Sequence, residues 1–119
     1  MFATSSVNLF SKLNPKSPIV EGFRALRSNL SFLEKTKANK IYLITSSVSG
    51  EGKTFIAANL AITFAKSGKK TLVLGADLRK PKLFTDFFSS NETGLSNYLT
   101  ANKVISDIIT NSEIDNLFW

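Results

Sequence analysis

The chain has 119 residues, 43% of them hydrophobic, and a formal net charge of +6; it is large enough for one packed domain and too apolar for a disordered tail. It contains neither Cys nor His, which excludes disulfides, thiolate and imidazole catalysis, and the usual zinc sites. No apolar run approaches the roughly 18–20 residues that cross a bilayer, and the first fourteen residues lack the apolar core of a signal peptide.

Residues 1–16 read as an irregular leader rich in Ser, Thr and Asn. Ser17 and Pro18 then suit the N-cap and first position of a helix. Ile19, Phe23, Leu26, Leu30 and Leu33 recur at spacings of three and four, which predicts an amphipathic helix over 17–34. Glu21, Arg24 and Arg27 lie three apart on a neighbouring face. Within one helix such contacts are worth only about 0.2–0.5 kcal/mol each; across two subunits the same row makes a charged seam. Residues 1–40 carry seven basic and two acidic side chains. That balance suits nucleic acid, anionic lipid or an acidic neighbour, and equally a solvated face. No aromatic-interleaved basic motif is present, so no nucleic-acid partner is expected.

After a polar connection, Ile41 to Thr45 reads as a short buried strand. The stretch Ser46-Ser47-Val48-Ser49-Gly50-Glu51-Gly52-Lys53-Thr54 follows, and a helix is predicted from Gly52 to Lys66. Strand, glycine loop and helix make the layout of a phosphate-binding P-loop, although Ser47 stands where the general pattern has its first Gly. Gly50 and Gly52 let the backbone approach an anion. The amides from Ser49 through Gly50, Glu51, Gly52 and Lys53 to Thr54 then form a nest at the helix N-terminus. The Lys53 ammonium reaches β- and γ-phosphates, and the Thr54 hydroxyl suits Mg²⁺. The plainer alternative is a glycine turn before a core helix.

Gly68 suits the helix C-terminus, and Thr71 to Leu74 reads as a second strand, parallel to the first in a βαβ unit. Asp77 and Arg79 follow it. Ligands of open α/β sheets bind at the carboxyl ends of strands, so Asp77 belongs to the P-loop rim, where a carboxylate orients metal-bound water or an attacking hydroxyl. Its plainer reading is a turn residue. Leu83, Phe84, Phe87 and Phe88 suggest a short amphipathic helix. Two further short helices are predicted over 95–100 and 104–109, and Leu117 to Trp119 begins another apolar run.

Together these residues resemble the cytoplasmic domain of bacterial tyrosine autokinases of the polysaccharide co-polymerase type. Glu21-Gly22-Phe23-Arg24-Ala25-Leu26-Arg27 fits that family's E-x-x-R-x-x-R helix. Thr45 to Thr54 fits its Walker A loop, Leu72 to Pro81 its Walker A′ strand, and Gly94-Leu95-Ser96 with Leu99 the segment beyond. The resemblance implies an α/β, three-layer P-loop NTPase-type fold with a parallel sheet over 17–119. It implies a protein-tyrosine kinase using ATP and Mg²⁺, with Lys53 and Asp77 catalytic and Thr54 and Asp77 at the metal. It further implies a homo-oligomer through Glu21, Arg24 and Arg27, a transmembrane co-polymerase adaptor, and protein tyrosine substrates. The implied setting is the inner face of the membrane, in control of capsule or exopolysaccharide synthesis and export.

Three departures stand out. Gly75 replaces the first acid of the D-x-D in the Walker A′ pattern. No Walker B strand follows, so the fold is expected to be truncated before it, with an apolar face and a sheet edge left open. There is no C-terminal tyrosine cluster; Tyr42 and Tyr98 are the two tyrosines. These departures support an alternative, a non-catalytic nucleotide-binding regulatory or scaffold module. A partitioning-type P-loop ATPase is a third reading, against which Val48 stands where that class carries a second Lys.

Overall fold

The computed structural model describes residues 14–33, 38–48, 50, 52–78 and 93–119. Its elements are α1 (Pro18–Leu33), α2 (Lys53–Lys66), β1 (Thr71–Leu72), α3 (Leu95–Leu99), α4 (Ile105–Ile108) and β2 (Leu117–Phe118). The predicted segment around Leu83 and Phe88, with Arg79, lies outside the described residues.

The helix ends follow their local signals. Ser17 caps α1, its Oγ accepting from the Val20 amide at 3.4 Å and its carbonyl from the Glu21 amide at 3.1 Å. At the end of α2, Gly68 takes φ +87, a conformation costly for residues with a Cβ. The Lys69 amide then reaches the Phe64 carbonyl at 3.3 Å, closing the helix in a Schellman turn. The short helices predicted over 95–100 and 104–109 are α3 and α4.

Helix α2 is the centre of the core. Ala58 to Ala65 are all buried, so this stretch of the helix is enclosed on every side. α1 covers one side with Val20 and Phe23, and the sheet covers another with Val73 and Leu117. Phe23 meets Phe55 edge-on, with ring centroids 6.1 Å apart. Two polar residues enter the core and are satisfied within the helix. Asn59 donates to the Phe55 carbonyl at 3.0 Å, and Thr63 to the Asn59 carbonyl at 2.7 Å. On α1 the predicted apolar face is only half covered: Phe23 is buried and Leu30 packs on the core, while Ile19, Leu26 and Leu33 stay exposed.

The sheet corrects one expectation. Ile41 to Thr45 and Thr71 to Leu74 are predicted as parallel strands of one βαβ unit, yet the strand that pairs with β1 is β2, in parallel, Thr71 opposite Leu117 and Leu72 opposite Phe118. The Thr71 and Val73 amides donate to Asn116 and Phe118 at 2.8 Å. In a parallel ladder the alternate amides, Leu72 and Leu74, turn to the opposite edge. Ile41 to Thr45 carries no strand assignment. A strand is assigned only where a ladder of backbone hydrogen bonds joins it to a neighbour. It still packs with strand-like alternation. Tyr42 and Ile44 turn towards α2, while Ile41 is 97% exposed and Leu43 85%. With Leu72 and Leu74 also exposed, the expected open apolar face is present.

Candidate phosphate-binding site

Two glycines of the loop take a backbone conformation that favours glycine. Gly50 has φ +85 and Gly52 φ +83, both in the left-handed region. A Cβ at either would meet nothing within 4 Å, so the constraint is conformational, and the space above both is open. Ser46 Oγ donates to the Val48 carbonyl at 2.8 Å and tightens the loop's first half. Ser49 and Glu51 lie outside the described residues.

Gly52 is the N-cap of α2 and supplies no side-chain oxygen to the first-turn amides, and no acidic side chain stands in that turn. The positive end of the helix dipole is therefore left for an external anion. Lys53 and Thr54 occupy the first two helical positions and are partly exposed. Position and composition thus fit phosphate. They fit Mg²⁺ as well, since that ion is held by one or two protein oxygens together with phosphates and water rather than by a protein cage.

Asp77 is exposed in the segment leaving β1. Helix α2 has 14 residues, which is about 21 Å of helix. The chain turns at Gly68 and β1 packs on α2. Asp77 sits in a tight turn, the Leu78 amide donating to the Ala76 carbonyl at 3.1 Å. Gly75, two residues earlier, adds no second carboxylate.

Glu21 and Arg24 form an ion pair on α1, and Arg24 also donates to the Pro15 carbonyl at 3.1 Å. Arg27 enters no ion pair among the described residues. Beside this row lies an open apolar groove lined by Pro18, Ile19, Gly22, Phe23, Leu26 and Ile56. An aromatic tie at the C-terminal end of α2 has no motif to announce it. Tyr42 stacks on Phe64, and the Lys69 ammonium lies 5.5 Å from the other ring, Phe64, while also reaching Ser31 Oγ at 3.5 Å. No helix among the described residues is long and apolar enough to cross a membrane.

Residues 42–114 match the model of the CobQ/CobB/MinD/ParA nucleotide binding domain. The chain is 42% identical over 103 residues to the putative tyrosine-protein kinase CapB of Staphylococcus aureus, covering 87% of this chain and 45% of CapB. The crystal structure of the chimerical protein CapA2B2 superposes with a TM-score of 0.84 at 40% identity, over 99% of this chain and 50% of that one. The BceF tyrosine kinase domain superposes with a TM-score of 0.80 at 31% identity, over 92% of this chain and 43% of that domain. The chain therefore spans about half the length of these relatives, or less.

Proposed function

The chain belongs to the CobQ/CobB/MinD/ParA nucleotide-binding family, and from that premise we propose that it forms the Mg-ATP-binding part of a protein-tyrosine kinase serving capsule or exopolysaccharide synthesis. The observation that carries the reading is the pair of left-handed glycines, Gly50 and Gly52, opening onto an uncapped, core-anchored helix whose first residues are Lys53 and Thr54. Similarity to proteins named as tyrosine-protein kinases supports the reaction class.

In this reading the amides from Ser49 to Thr54, those of Gly50, Glu51 and Gly52 included, cradle the phosphates. Lys53 offsets charge on the transferring γ-phosphoryl group. Thr54 and Asp77 hold Mg²⁺, which when bound neutralises the phosphate oxygens. Asp77 also orients the acceptor tyrosine hydroxyl. Catalysis of this kind is chiefly positioning and electrostatics. Glu21, Arg24 and Arg27, beside the open groove on α1, would contact a second copy, and a transmembrane co-polymerase adaptor would hold the assembly at the inner face of the membrane. Gly75 favours a second reading, a nucleotide-binding module without transfer activity; phosphate transfer to any tyrosine would exclude it.

The test is a phosphate series in thermal unfolding. Mg-ATP at about a hundred times its dissociation constant should stabilise the fold by about 2.7 kcal/mol. Adenosine at the same concentration should leave the midpoint unchanged. Equal shifts from both would place recognition on the base instead of the phosphates.

A further inference from the structure

The chain holds two tyrosines, exposed to similar extents, 38% for Tyr42 and 43% for Tyr98, but held differently. Tyr42 lies flat on Phe64, itself 6% exposed, so freeing its ring would strip a core residue. Tyr98 stands on α3, is 43% exposed, and none of the hydrogen bonds or ion pairs among the described residues involves its hydroxyl.

The element that carries Tyr98 is also weakly held. α3 has five residues and α4 four, and neither contains a buried one. Among the described elements, α3 packs on α4. Its ends are tied locally: the Gly94 amide donates to Asn97 Oδ1 at 2.9 Å, and Thr100 Oγ1 to the Ser96 carbonyl at 3.0 Å. Opening such a unit breaks a few exposed backbone hydrogen bonds and uncovers no core, so it belongs to the low end of local unfolding free energies. A tyrosine acceptor must leave its own surface far enough for its oxygen to align with the γ-phosphorus in another molecule's active site. Tyr98 meets that requirement and Tyr42 does not.

We propose that Tyr98 is a phosphate-acceptor site, modified in trans by a tyrosine kinase of the same family. The idea rests on the kinase reading above for its reaction, though not on this chain's own P-loop. Tyr98 Oη bonds to the γ-phosphorus of ATP held by the other molecule, and the bond from that phosphorus to the β–γ bridging oxygen breaks. ADP leaves, and the phenolic proton passes to a carboxylate of the kinase or to water. Phosphorylation adds about −1.5 to −2 charge at this position.

The experiment uses the BceF tyrosine kinase domain with Mg-ATP and the native chain, Tyr98→Phe, Tyr42→Phe and Lys53→Ala as acceptors. Phosphotyrosine is mapped by mass spectrometry, phosphorylation of the kinase itself shows it active in each reaction, and circular dichroism shows each variant folded. The expected result is phosphate on Tyr98 in the native chain, retained in Tyr42→Phe and lost in Tyr98→Phe. Retention in Lys53→Ala separates this site from the nucleotide reading, because the chain serves there only as acceptor. Phosphate on Tyr42 with Tyr98 unmodified would overturn the proposal. So would an unmodified chain beside a kinase that phosphorylates itself.

Discussion

Tyr42 stacks on Phe64 with ring centroids 5.5 Å apart and planes 16° from parallel. The contact ties the run that enters the glycine loop to the helix that leaves it. The entering run is thereby fixed to the C-terminal end of α2. Phe64 is deeply buried, so Phe64→Ala should cost about 3–5 kcal/mol. Tyr42→Ala, at a half-exposed position, should cost only about 1 kcal/mol yet weaken Mg-ATP binding. Urea denaturation and nucleotide titration of the same variants separate the two effects. Unchanged affinity in a folded Tyr42→Ala protein would show that the stack does not position the loop.

Gly50 and Gly52 are held by backbone conformation and not by crowding. Gly52→Ala should therefore cost about 1–2 kcal/mol, the penalty for a Cβ in the left-handed region. Gly52→Asn should cost less, since Asn tolerates that region. Equal losses from the two substitutions in thermal unfolding would mean that the loop relaxes to a different backbone.

Leu117 is 1% exposed, and β2 reaches α2 through it. Leu117→Ala should cost about 2–5 kcal/mol and release β1 from its ladder partner. Hydrogen exchange at the Thr71 and Val73 amides reports the second effect. Protection of both amides in the variant would show that the pairing does not depend on this anchor.

The open face makes the opposite prediction. Leu43 is 85% exposed and Leu74 60%, so Leu43→Lys and Leu74→Lys should change stability by no more than about 0.5 kcal/mol. Both should reduce self-association, because they place charge on an exposed apolar layer. Sedimentation velocity at increasing concentration measures this. A large loss of stability in either variant would show that the residue is covered in solution.

The parts of the fold legible in the sequence are those written by near neighbours. Ser17-Pro18 sets the start of α1, Gly68 the end of α2, and short-range spacing α3 and α4. The sheet was not legible in the same way. β1 and β2 are separated by more than forty residues, and nothing local distinguishes Leu117-Phe118 from Ile41-Tyr42-Leu43-Ile44 as a partner for Thr71-Leu72. The apolar run from Ile41 resembles a buried strand in composition, but burial requires neighbours, and Ile41 lies in the open. At the site, Gly50, Gly52 and Lys53 were readable because the P-loop is a local pattern. The stacking of Tyr42 on Phe64 was not readable, since no motif links residues twenty-two apart across a helix.

The account turns on whether Lys53 and the helix behind it bind the phosphates of ATP. Calorimetric titration of the native chain and of Lys53→Ala with Mg-ATP, each shown folded by circular dichroism, measures this directly. The account predicts saturable binding in the native chain and at least tenfold weaker binding in Lys53→Ala, a loss of about 1.4 kcal/mol. Equal affinities in two folded proteins, or no binding by the folded native chain, would contradict it.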